Sequence, residues 1–220
     1  MIKTHTTTEL IAKEGWGTVS IFFVLFLISL GIGFLPWVFL FLFLSSLFVY
    51  RNFERIPNQD GRLALLSPVD GKIINISKVI TKDNIEFLKL EIRKTIFDVS
   101  LIRSPILAKL SSAKRVHGLF LDSQHPDAKK LNERAVLKLD SGLKQIIIII
   151  TAGFFSRSIE LFKSVGPLKS AQRFGLLLDG SVELLLPIDT SIKVSIADSV
   201  RAGESVLGYF SYGKSDDNSK

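Results

Sequence analysis

The chain contains no cysteine, only three histidines, one methionine and two tryptophans. Without cysteine there is no disulfide framework, no thiolate-ligated zinc or iron–sulfur site and no thiol nucleophile. His5, His117 and His125 are too few for a His-rich metal centre, so no metal site is expected. Charge is missing from one stretch: between Glu14 and Arg51 no side chain is ionised, a gap of about 36 residues. What remains is basic, with 28 Lys and Arg against 21 Asp and Glu for a formal charge of +7. It is also apolar, 47% hydrophobic with a mean hydropathy of +0.34. A chain of 220 residues accommodates one domain, or one domain with an appendage, and can sustain a core without covalent staples.

The uncharged stretch reads as a hydrophobic membrane segment, residues 15–50, preceded by a short cytoplasmic segment, 1–14. It is too long for a typical cleavable signal peptide and is followed by no small-x-small site. Gly31, Gly33 and Pro36 divide it into halves of about 15 residues, and a helix needs about 20 to cross ~30 Å of hydrocarbon. Two readings fit: a helical hairpin with both ends on one face, or one long tilted crossing. The midpoint position of the Gly/Pro punctuation favours the hairpin. Trp16, Trp37 and Tyr50 fall at its edges or bend, where amphipathic rings sit at headgroup level, and Arg51, Arg55 and Arg62 follow at once. The positive-inside tendency then puts the protein at the cell membrane, with the rest of the chain on the cytoplasmic face. The Lys and Arg residues are scattered and accompany no nucleic-acid-binding motif, so an anionic membrane surface, not nucleic acid, is the expected partner.

After the anchor, short β-branched runs alternate with turn residues. Strands are expected at Gly71–Ile76, Ile85–Ile92, Val99–Ile102, Ala135–Leu139, Gln145–Thr151, Leu176–Leu178, Ser181–Leu186 and Ser191–Ser195, with short helices near Asp127–Glu133 and Ser156–Phe162. Residues 51–213 therefore read as a mainly β (β-rich α+β) soluble domain, barrel- or sandwich-like, and 214–220 as a disordered tail. The Ile146–Ile150 run, which lacks alternation, reads as a central strand buried on both faces.

Three clusters stand out among the polar residues. Ser67-Pro68-Val69-Asp70-Gly71 projects an acid just before a strand, and taken alone is an Asp-Gly turn. Asn132-Glu133-Arg134, taken alone, is a solvated corner. Arg173-Phe174-Gly175 precedes Asp179-Gly180-Ser181, which by itself is a hairpin connection between apolar strands.

As an ordered set these clusters acquire specificity. Together with Ala12-Lys13-Glu14-Gly15-Trp16, Arg51-Asn52-Phe53-Glu54-Arg55-Ile56-Pro57, Ile96-Phe97-Asp98-Val99 with Arg103 and Pro105, Ala152-Gly153 with Arg157, Leu186-Pro187 and Gly203-Glu204, they span almost the whole chain. The chain resembles the phosphatidylserine decarboxylase proenzymes in their short, membrane-anchored form. The resemblance implies self-cleavage between Gly180 and Ser181 into a β chain of residues 1–180 and an α chain of 181–220. It also implies conversion of Ser181 to a covalent pyruvoyl group, the cofactor that forms a Schiff base with the substrate amine and acts as an electron sink. The implied substrate is the anionic phospholipid phosphatidylserine and the product phosphatidylethanolamine. A glycerol-ether analogue, or another amino acid substrate, fits the same residues. The resemblance further suggests a dimer of processed protomers; by their charge, Arg55, Arg103 or Arg157 are expected as partners for the substrate phosphate or carboxylate.

The chemistry matches the residue types. Glycine tolerates a strained turn and leaves its carbonyl accessible, while the serine hydroxyl attacks that carbonyl. The resemblance assigns the orienting acid to Asp70 and the general base to a histidine at position 100, where this chain has Ser100. A serine there accepts no proton near neutral pH. His117, His125 and Asp179 are the alternative bases, and the alternative to cleavage is an uncut, inactive membrane homologue with a binding or scaffold role.

Overall fold

The computed structural model describes residues 11–52, 55, 63–81, 84–122, 125–142, 144–156, 158–162 and 165–211. The uncharged stretch folds into two helices, α1 (Trp16–Ile32) and α2 (Pro36–Val49). The break has a local cause: Gly33 takes the left-handed conformation (φ 73°) and closes α1 through its N–H to the Ser29 carbonyl, and Pro36 occupies the first turn of α2. The two helices fold back on each other. Phe23 and Phe43 meet with ring centroids 5.3 Å apart, and the Ala12 N–H donates to the Tyr50 carbonyl at 2.9 Å, so both ends lie together. At 17 and 14 residues, neither helix is long and apolar enough to cross a membrane. The stretch is thus a helical hairpin and not one long helix, and among the described residues the membrane-crossing anchor expected from the sequence finds no support.

The rest is β-rich. The strands are β1 (Ala64–Leu66), β2 (Gly71–Ile80), β3 (Glu86–Lys94), β4 (Leu101–Arg103), β5 (Ala108–Val116), β6 (Arg134–Asp140) and β7 (Gln145–Ala152), with the short helix α3 (Ala128–Leu131) before β6. They continue with β8 (Glu160–Leu161), β9 (Gly166–Leu168), β10 (Arg173–Leu176), β11 (Gly180–Pro187), β12 (Ser191–Ile192), β13 (Ser199–Val200) and β14 (Val206–Tyr209). Eight of them form one antiparallel sheet in the order β13-β2-β3-β11-β7-β6-β5-β9. Two three-stranded sheets, β1-β14-β12 and β4-β10-β8, accompany it. Among the described residues the large sheet is open, with β13 and β9 as its edges, so the expected barrel is not closed.

Alternation places the core. Leu90 and Ile92 of β3, Val182, Leu184 and Leu186 of β11, and Ile146, Ile148 and Ile150 of β7 are fully buried on one face. Phe174, Leu177, Leu207 and Phe210 join them in one cluster. Ile147 and Ile149, on the other face of β7, are only partly covered, so this interior strand is not buried on both faces. The long strand β5 has no apolar alternation to announce it; pairing along β6 imposes it. Three further expectations fail: the helix near Ser156–Phe162 is replaced by β8, Leu176–Leu178 shifts to Arg173–Leu176, and Ser191–Ser195 shrinks to two residues. The tail at 214–220 lies outside the described residues.

Asn132 is not part of a solvated corner. Its amide donates to the Leu121 and Ala152 carbonyls and its oxygen accepts from the Leu121 N–H, each at 2.8 Å, with the residue 2% exposed. Beside it the buried Glu133 accepts from Arg115 at 2.8 Å and from the Ile159 N–H at 2.9 Å. Asn132→Ala strands these groups and should lower the unfolding free energy by about 2–3 kcal/mol, read as a lower urea midpoint.

Candidate active site at the Gly180–Ser181 bond

The site forms where β11 enters the large sheet. β10 pairs with β4 and β8, whereas β11 pairs with β3 and β7, so Asp179-Gly180-Ser181 is a crossing between two sheets and not a hairpin turn. Gly180 has φ 146°, and a Cβ on it would stand 2.1 Å from the Thr151 carbonyl oxygen, so only glycine fits. Ser181 follows, buried at 7% exposure and paired with Arg93 on one side and Thr151 on the other. Among the described residues its hydroxyl makes no hydrogen bond.

The segment ahead of the bond is held from two sides. The fully buried Ser156 hydroxyl donates to the Asp179 carbonyl at 2.7 Å and accepts from the N–H groups of Leu178 (3.1 Å) and Asp179 (2.9 Å). On the other side, the Lys94 ammonium donates to the carbonyls of Leu178 at 3.3 Å and of Thr95 and Asp98 at 3.1 Å. Lys94 is 0% exposed. Burial pushes its amine down to about 8, against the upward pull of Asp98, Asp70 and Asp179. Burial pushes the Asp179 carboxyl up, partly opposed by the Phe155 N–H and by Lys94. Neither Lys94 nor Ser156 is singled out by the sequence; each reads there as a lone polar residue.

Asp70 is buried, and it is bound to Arg55. The guanidinium grips both carboxylate oxygens, Nη2 at 2.7 Å from Oδ2, and the Ala202 N–H donates to Oδ1 at 2.7 Å. Burial pushes the carboxyl up, but the Arg55 and Ala202 hydrogen bonds outweigh it and hold Asp70 below the usual carboxylate range. Ser100 is 2% exposed and its hydroxyl donates to the Val49 carbonyl at 2.9 Å, tying the β domain to the end of α2. No hydrogen bond joins Asp70, Ser100 and Ser181 among the described residues. Arg103 is buried and donates to the Ala171 carbonyl at 3.2 Å, while Arg157 lies outside the described residues. His117 is an exposed side chain 3.5 Å from the Glu133 carboxylate, and His125 accepts from the Asp127 N–H at 3.2 Å. Among the described residues neither contacts Ser181.

An apolar cavity lies beside Asp179. Phe41, Leu44 and Phe48 of α2, the Ile96–Phe97 turn and Phe155 line a cavity of about 580 Å³. Phe155 also supplies the N–H that faces the Asp179 carboxylate, at 3.4 Å, so the cavity adjoins the segment leading to Gly180.

Residues 44–208 match the family model described as phosphatidylserine decarboxylase. The chain belongs to the phosphatidylserine decarboxylase family. It is 35% identical over 206 residues to a phosphatidylserine decarboxylase proenzyme of Desulfotalea psychrophila, covering 90% of this chain and 95% of that protein. Proenzymes of the same name from Symbiobacterium thermophilum (32% over 209 residues, 90% and 95% coverage) and Syntrophus aciditrophicus (32% over 211 residues, 91% and 97%) are similarly related.

The buried amine has a measurable signature. A lysine lowered to about 8 in the fold and near 10.5 when unfolded binds fewer protons folded than unfolded between those values. Folding stability from Lys94 therefore rises with pH across pH 8–10.5. In a Ser181→Ala background, the unfolding free energy relative to Ser181→Ala/Lys94→Met should climb by on the order of 3 kcal/mol over that window in denaturant titrations.

Proposed function

We propose that this chain is a phosphatidylserine decarboxylase that cleaves itself at Gly180–Ser181 and makes phosphatidylethanolamine with a pyruvoyl group derived from Ser181. The observation that carries the reading is the local geometry: a glycine-only conformation directly followed by a buried serine with an uncommitted hydroxyl. The Ser181 Oγ adds to the Gly180 carbonyl carbon, the C–N bond breaks with proton transfer to nitrogen, and an ester links the two residues. Loss of the Ser181 Cα proton and cleavage of the Cβ–Oγ bond release the Gly180 carboxylate and leave a dehydroalanine. Its imine tautomer takes up water and loses ammonia to give the ketone. That ketone supplies an electron sink for loss of CO2 from an amino acid headgroup. The Arg55-clamped Asp70 supplies fixed negative charge near this site, since its field reaches the Lys94 amine.

The hairpin and the cavity support a lipid substrate. α1 and α2 expose large apolar side chains, among them Ile32 at 74%, Trp37 at 78% and Phe41 at 69%, and an apolar surface of that kind calls for a cover. We assign the cover to the bilayer, with the β domain on the basic, cytoplasmic side. The cavity between α2, Phe97 and Phe155 then accepts an acyl chain whose headgroup reaches Ser181.

Two measurements test this. Intact mass of the chain purified from membranes should show a fragment of about 40 residues (181–220) with a pyruvoyl N-terminus, absent from Ser181→Ala; a single uncut chain unreactive to borohydride would overturn the reading. Leu44→Asp, in the cavity wall, should raise KM about tenfold for long-chain phosphatidylserine while leaving a dibutyryl analogue unaffected, in a CO2-release assay.

A further inference from the structure

Lys94 closes β3 opposite the scissile bond: the register pairs it with Gly180. It is a fully buried cation that the reading above leaves without a role. An ammonium has three protons and no lone pair, and Lys94 directs these at three carbonyls, those of Thr95, Asp98 and Leu178. This is the geometry of a loaded donor, not of a base. Two of its acceptors belong to a turn closed by the Asp98 carboxylate, which accepts from the Thr95 N–H and hydroxyl, each at 2.8 Å. The third acceptor, Leu178, lies two residues before Gly180. Successive carbonyls of an extended strand point to opposite neighbours. The Asp179 carbonyl accepts from Gly153, next to β7, at 2.9 Å. The scissile Gly180 carbonyl is accordingly directed to β3, on the Lys94 side.

We propose that the Lys94 ammonium is the positioning cation of self-cleavage at Gly180–Ser181. By tying the Leu178 carbonyl to the Thr95–Asp98 turn it fixes the segment leading into the scissile bond, and it places positive charge on the side where the carbonyl oxygen gains negative charge as Ser181 adds. This rests on the self-cleavage reading above and deepens it: a chain without a histidine at position 100 depends on a fixed cation. The charged groups around the amine are Asp98 from its own turn, Asp70 from the β1–β2 turn and Asp179 from the β10–β11 crossing, all favouring the ammonium, and Arg51 from the end of the hairpin, opposing it. Loss of the proton removes the charge and leaves two N–H donors for the three carbonyls.

The test follows the full chain, made by pulsed cell-free synthesis into phosphatidylglycerol-containing vesicles and then shifted to pH 6.5–9.5, with cleavage followed by intact mass. The wild-type rate should fall about tenfold from pH 8.5 to 9.5, following a single deprotonation. Lys94→Arg, where it folds, should cut at a rate that is flat over the same range, and Lys94→Met should cut at least tenfold more slowly at pH 7. A merely structural lysine predicts the opposite trend, because the fold gains stability as this amine loses its proton. A wild-type rate that stays level or rises through pH 9.5, or Lys94→Met cutting at the wild-type rate, overturns the proposal while leaving self-cleavage standing. A wild-type chain uncut at every pH overturns both.

Discussion

The contact between Gly180 and the Thr151 carbonyl sets the constraint on which the site depends. β11 reaches the middle of the large sheet from a different sheet, and its first residue, Gly180, is already paired with Lys94 on one side and Ala152 on the other. Only a residue without a Cβ can make that entry. β3 and β7 pair with β11 on either side, and the Ser156 hydroxyl and the Lys94 ammonium hold the preceding carbonyls, so the bond between Gly180 and Ser181 is held in position.

Among the described residues each buried carboxylate meets a cation. Asp70 is bound by Arg55, Glu133 by Arg115, and Glu91 and Glu183 by Lys129 at 2.6 and 3.1 Å. Lys94 is different in kind, since its hydrogen-bond acceptors are neutral carbonyls and the carboxylates of Asp70, Asp98 and Asp179 act on it through their fields. An amine so placed keeps its proton near neutrality but holds it less tightly than a surface lysine.

Much of this was legible in the residues, and the reasons for the rest are physical. The uncharged stretch and its Gly33/Pro36 break announced the hairpin, because helix termination there is a local matter. β7 and β11 were legible from their apolar runs, whereas β5, with Ser111, Ser112 and Lys114, was hidden because its strand character comes from pairing with β6. The Gly180–Ser181 bond was recognisable only as one member of an ordered set. Its surroundings were not: Lys94 ends a run of charged residues, Glu91-Ile92-Arg93-Lys94, that reads as solvated surface, and Ser156 sits in a loop. Arg55 and Arg103 were candidates for the substrate, but the fold engages them with Asp70 and with the Ala171 carbonyl, partners distant in sequence that no local pattern reveals.

The topology around β11 bears on how the two pieces of a cleaved chain would stay together. The shorter piece would carry β11, inserted between β3 and β7, and β14, inserted between β1 and β12. It is thus threaded through the interior of the large sheet, most of whose strands belong to the longer piece, and it pairs with that piece again where β14 meets β1 and β13 meets β2. Dissociation of such pieces would require all of these ladders to open. A separately supplied short chain would find no vacant slot to enter. Such an enzyme could not be repaired by exchanging its reactive fragment, and renewal would require synthesis of a fresh precursor.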